Sequence, residues 1–152
     1  MFFKIDKEKI INEKIKILGE NNKDSFICLW INRNCKRKRP SDVIKSWSIF
    51  INSLEEKEKS KCILLMHTNP EDKAGPNLFS VIEYFKMKSN VMLSSSIIDT
   101  DILNILYNIS DCTINISFNE GFGLTTLESM MTGTPIISSK TGGLTYQVID
   151  HS

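Results

Sequence analysis

The run Phe26-Ile27-Cys28-Leu29-Trp30-Ile31 is apolar at every position and bounded by polar segments. A stretch this short and this uniformly apolar reads as a β-strand covered on both faces, which is the mark of a parallel sheet. Parallel neighbours cannot be joined by tight hairpins, so the segments between strands must cross back over the sheet, usually as helices.

The rest of the chain supplies those segments. Asp6 is placed to cap a helix carrying Ile10, Ile11, Ile15 and Leu18, with Gly19 as its stop. Ser41-Asp42 caps a second helix with a stripe of Val43, Trp47, Phe50 and Leu54, and Glu55 to Lys61 reads as a solvated charged turn. Cys62 to Met66 is the second strand, Thr68 to Gly75 a loop, Asn77 to Met87 a helix and Val91 to Leu93 the third strand. Asp99 or Thr100 caps a helix burying Ile102, Leu103, Leu106 and Tyr107. Strands at Thr113 to Ser117 and Pro135 to Ser138 complete the set. The alternation predicts an α/β fold: a doubly wound, Rossmann-like parallel sheet with right-handed crossovers, in the order 3-2-1-4-5. It is expected to form one domain over residues 1–152, with 1–24 as its leading helix and segment.

A formal charge of +1 excludes any global polyelectrolyte character, so partners must be argued locally. Cys28, Cys35, Cys62 and Cys112 form no Cys-x-x-Cys pair and read as thiols in a reducing compartment. Charge interrupts the N-terminus too early for a signal peptide, and no apolar run approaches the length of a membrane span. The expectation is a cytoplasmic protein without a transmembrane segment.

Ligands of a doubly wound sheet bind at the carboxyl ends of its strands, where the strand order reverses. There the first strand leads into Asn32-Arg33-Asn34-Cys35-Lys36-Arg37-Lys38-Arg39 and the fourth into Asn119-Glu120-Gly121-Phe122-Gly123-Leu124. Gly121 and Gly123 form a tight turn, and the unpaired N–H groups of the helix behind it suit a phosphate. Leu124, Leu127 and Met131 share one helix face, and Glu128 falls about 40° from Leu124 on the wheel, within that stripe. A carboxylate there needs hydrogen bonds from ribose hydroxyls, a backbone amide or a lysine, unless it snorkels to solvent. Lys36-Arg37-Lys38-Arg39-Pro40 also has the look of a nucleic-acid patch, but its place at the switch point favours phosphate.

Glu120-Gly-Phe-Gly-Leu-x-x-x-Glu128, followed by Gly133-x-Pro135 and Gly142-Gly143, resembles the Glu-x7-Glu motif of the group 1 (family 4) retaining glycosyltransferases of the GT-B fold. The resemblance covers the donor-binding, C-terminal half of that two-domain enzyme. It implies a nucleoside-diphosphate sugar as donor, with Arg33 and Lys38 on the phosphates and Glu120 facing the transferred sugar as the catalytic set. Glu128 would accept from the ribose. Gly121, Phe122, Gly123, Leu124 and Thr125 would form the rest of the donor-binding turn. Asn32 stands where the family more often has glycine. The family's chemistry implies no metal and no cofactor, with retention of configuration by front-face attack. It also implies an acceptor-binding domain or subunit not encoded here, so this chain alone is expected to bind donor and transfer little. The alternative is a non-catalytic nucleotide- or nucleic-acid-binding module, against which the two acids count. Asp99-Thr-Asp101 reads as helix capping rather than a metal motif, His67 as a strand-end packing residue, and Ser94 to Ser96 equally as a base cradle or a plain loop.

Overall fold

A computed structural model describes residues 1–148. Helix α1 (Lys7–Leu18) is capped by Asp6, whose carboxylate accepts the Lys9 N–H at 2.9 Å, and ends at Gly19 with φ 85°. Strands β1 (Phe26–Ile31), β2 (Cys62–His67), β3 (Val91–Ser94), β4 (Cys112–Asn115) and β5 (Ile136–Ser138) form one sheet, all pairs parallel, in the order β3-β2-β1-β4-β5. That is the expected doubly wound order. The crossovers are α2 (Pro40–Ser53) with the one-turn α3 (Glu56–Lys59), then α4 (Leu78–Tyr84), α5 (Thr100–Asn108) and α6 (Leu124–Thr132); α7 (Leu144–Gln147) follows β5.

The uniform apolarity of β1 now has its reason. Cys28 and Trp30 point into a core layer with Val43, Ile44, Trp47 and Ile51 of α2, while Ile27 and Leu29 point into the opposite layer with Leu18, Leu106 and Tyr107. No β1 residue from Ile27 to Trp30 is more than 4% exposed.

Several boundaries differ from expectation. Helix α2 starts at Pro40 because Arg39 takes a left-handed turn (φ 54°) and proline at the first position is preorganised for a helix; Asp42 sits in the first turn, paired with Arg39. Its buried face runs through Val43, Ile44, Trp47 and Ile51, leaving Phe50 half-exposed and Leu54 beyond the helix. The charged segment after it contains α3, closed by a reciprocal Glu55–Glu58 capping box. Helix α5 exposes Ile102 and instead buries Asn104 and Asn108, which hold the N-terminal segment: Phe3 N–H donates to Asn104 Oδ1 and Ile5 N–H to Asn108 Oδ1, both at 2.9 Å.

The largest correction concerns α6. Leu124, Leu127 and Met131 are not its packing face; Leu124 is 64% and Met131 47% exposed, and Thr126, Ser129 and Thr132 are buried instead. The cause lies in β4, which turns Thr113 and Asn115 toward this helix. Buried polar groups require polar partners. Thr113 Oγ1 meets Ser129 Oγ at 2.7 Å, Asn115 Nδ2 donates to Thr126 Oγ1 at 3.1 Å, and Ser129 Oγ reaches the Thr134 carbonyl at 2.9 Å.

Candidate functional site

At the carboxyl ends of β1 and β4 lies a crevice of about 760 Å³. Asn32, Arg33, Arg37, Lys38 and His67 form one wall, and the segment from Asn119 to Thr125 forms the other. The switch point therefore brings together the basic loop and the glycine turn, including the expected residues Arg33, Lys38, Glu120, Gly121, Phe122, Gly123, Leu124 and Thr125.

The basic loop is held from beneath by Asn34, which is fully buried and donates through Nδ2 to the carbonyls of Pro70 (3.1 Å) and Pro76 (2.8 Å). Gly75 makes room for it, since a Cβ there would stand 2.1 Å from Asn34 Oδ1. The two walls are laced directly: Phe118 N–H donates to the Arg37 carbonyl (2.8 Å) and the Arg37 guanidinium to the Asn119 carbonyl (2.6 Å).

In the glycine turn the conformational demand falls on Gly123 rather than Gly121. Gly123 is left-handed (φ 88°), with Leu144 Cδ2 only 2.4 Å from where a Cβ would sit, whereas Gly121 faces open space. Gly123 caps α6 without a side-chain bond to the helix, so no side chain covers the first helical N–H groups, and Gly123, Leu124 and Thr125 line the crevice. Gly142 and Gly143 brace the turn from behind. A Cβ on Gly142 would lie 2.0 Å from the Glu120 carbonyl, and Gly143 N–H donates to that carbonyl at 2.9 Å.

The charges are paired across the crevice. Glu120 is buried and forms an ion pair with the equally buried Lys38, with Arg37 at 3.7 Å. Burial is the largest single influence on the Glu120 carboxyl and pushes it up, but Lys38, Arg37 and the Ser117 hydroxyl together outweigh it and hold the group below the usual carboxylate range. Arg33 is engaged by Asp72 at 2.8 Å, and that guanidinium holds the Asp72 carboxyl low in turn. Three cations against two carboxylates leave this cluster one positive charge in excess.

His67 belongs to the crevice as well as to the end of β2. Its Nδ1 lies 3.0 Å from Ser94 Oγ, and partial burial lowers its pKa, which favours the neutral ring. Asp99 caps α5, accepting the Ile102 N–H at 2.9 Å, as its spacing predicted. Glu128 does not reach the crevice wall. Its partner is neither a backbone amide nor a lysine but Tyr107, whose O–H donates to Oε2 at 2.7 Å. Sequence reasoning missed Tyr107, Asp72 and Asn34 as site residues; a tyrosine on a buried helix face with a carboxylate in need of a donor was the available signal for the first.

Fold and crevice together define a Rossmann-like α/β domain of the kind that forms the C-terminal half of GT-B glycosyltransferases. The family model for glycosyl transferases group 1 matches residues 11–152, and the chain belongs to that family. Among solved structures it is similar to the C-terminal domain of a group 1 glycosyl transferase from Francisella tularensis (TM-score 0.73, 19% identity, covering 98% of this chain and 73% of that one). It is similar too to Anabaena HepE, solved with UDP and glucose (TM-score 0.77, 16% identity, 97% of this chain and 38% of that one). A trehalose synthase from Pyrococcus horikoshii is 40% identical over 48 residues, which span 32% of this chain and 12% of that protein. Among the described residues no helix is long and apolar enough to cross a membrane.

Proposed function

We propose that the crevice binds the diphosphate of a nucleotide sugar, and that the whole protein containing this domain is a retaining glycosyltransferase. The observation that carries this reading is the Arg37–Lys38–Glu120 cluster standing beside the side-chain-free N-terminus of α6. A site for phosphate alone gains nothing from a buried carboxylate. A site for a sugar diphosphate uses both: cations and helix N–H groups for the leaving group, an acceptor for sugar hydroxyls. Anabaena HepE, which shares the fold, has been solved with UDP-glucose, which supports the same class of ligand here.

In this reading the diphosphate lies against Arg33, Arg37, Lys38 and the amides of Gly123, Leu124 and Thr125. Glu120 accepts hydroxyls of the transferred sugar and holds Lys38 in place. Glu128, outside the lined crevice and one turn along α6 from Leu124, accepts from a ribose that extends past the crevice wall. Charge developing on the departing diphosphate meets donors already oriented for it, which is the largest contribution such a site makes to rate. Front-face attack requires no protein nucleophile, and the three cations provide the neutralisation, so the scheme calls for no metal or cofactor. The acceptor is bound by a separate domain or subunit, and four free cysteines suit a reducing, cytoplasmic setting.

The nucleic-acid alternative is weaker on physical grounds. Arg33, Arg37, Lys38 and Arg39 face three carboxylates within the domain, Asp72, Glu120 and Asp42, so their excess is one positive charge, which is little for a polyanion. The decisive experiment is thermal stability of the chain with UDP, GDP, ADP and their sugars. A ligand at 100 times its Kd adds about 2.7 kcal/mol. A shift with one nucleoside diphosphate, reduced in Arg33→Ala and Arg37→Ala, is expected; no shift with any of them overturns the reading.

A further inference from the structure

Tyr107 is 1% exposed on the last turn of α5, and its ring is packed in the core. Phe2 packs edge-on against it, with ring centroids 5.8 Å apart, and the segment carrying Phe2 is tied to α5 through Asn104 and Asn108. Its own backbone carbonyl accepts the Thr134 hydroxyl at 2.8 Å. A buried phenol in such a setting cannot swing to find water, so its hydroxyl direction is set by the fold. That direction is Glu128 Oε2, at 2.7 Å. The other oxygen, Oε1, accepts no hydrogen bond among the described residues.

We propose that Tyr107 is a positioning residue for the donor: it pins one oxygen of Glu128 so that the other is presented to the ribose hydroxyls. The inference rests on the reading that Glu128 binds ribose. A glutamate on a helix surface samples several rotamers, and immobilising such a side chain on binding weakens a complex by about 2- to 10-fold. The tyrosine removes that cost beforehand. Burial first, and the carboxylate second, push the pKa of the phenol up, which keeps its O–H as the donor of this bond.

The test compares UDP, GDP and ADP with their 2′,3′-dideoxy counterparts by calorimetry, on the full chain and on Tyr107→Phe and Glu128→Ala, each checked for a native melting transition. The wild type is expected to prefer the ribose form, and Glu128→Ala to lose that preference. Tyr107→Phe is expected to bind the ribose form about 2- to 10-fold more weakly and the dideoxy form unchanged. If Tyr107→Phe keeps or improves ribose binding, or loses both forms equally, the tyrosine is structural and the inference fails while the donor site stands. If the wild type binds neither form, shows no ribose preference, or keeps it in Glu128→Ala, the reading of Glu128 fails and the inference goes with it.

Discussion

Glu120 is the residue on which the crevice turns, because it is a buried acid whose ionised form is held by Lys38 and Arg37 against the pull of its own burial. The sign of its effect on stability follows. A carboxyl whose folded pKa lies below its unfolded value, about 4.3 for glutamate, contributes stability that is full above that value and is lost as pH falls through the folded one. Chemical denaturation of wild type and Glu120→Gln should therefore differ most at neutral pH and converge progressively as the pH falls below the unfolded value of about 4.3. A constant difference across that range would mean the glutamine disturbs packing rather than charge. Arg33 offers a second test. In the proposed reading it leaves Asp72 to meet a phosphate, and an exposed pair of this kind is weak. Asp72→Asn should tighten UDP binding by up to about 5-fold in calorimetry; weaker binding would show that Asp72 orients Arg33 instead of competing for it.

At the scale of elements, α6 decides how the glycine turn is presented, and it does so through hydroxyls. Replacing Thr126 by valine keeps the shape but leaves Asn115 Nδ2 short of its 3.1 Å partner, at a cost of about 1–3 kcal/mol. Replacing Met131 by serine on the exposed face should cost less than about 0.5 kcal/mol. Urea midpoints for the two variants would check this, and the reverse order would restore the apolar face that periodicity suggests. That contrast shows where the sequence was legible. The strands were plain because β1 and β2 are buried on both faces and nothing but apolar residues serves there. The α6 face was not, because hydrophobic periodicity assumes an apolar partner, and here the partner is the Thr113–Asn115 side of β4. The glycine turn was legible as a turn, yet only contact with Leu144 and the Glu120 carbonyl shows why Gly123 and Gly142 carry the demand and Gly121 does not. The Arg33–Asp72 and Tyr107–Glu128 pairs join residues on separate elements with no spacing rule between them.

On the scale of the whole molecule, the chain spans 34–38% of several of the structures it resembles, and its crevice, walled on two sides by this domain, is open at its mouth. Two of its lining side chains are apolar and open to solvent: Phe122 is 56% and Leu124 64% exposed. An active site for group transfer gains from excluding water, both to strengthen its electrostatics and to prevent hydrolysis of the donor. A crevice open at its mouth cannot do this. In the proposed reading binding uses groups that this domain itself holds, across an 82-residue separation between Arg37 and Asn119. Binding and transfer should therefore come apart in the isolated chain. Incubated with the nucleotide sugar that stabilises it and a panel of sugar acceptors, it should show saturable binding, while UDP or its counterpart is released no faster than in buffer. Efficient transfer by the 152-residue chain would mean that its apolar lining closes over the donor without help, for instance by pairing with a second copy, and an oligomer visible by light scattering would then accompany the activity.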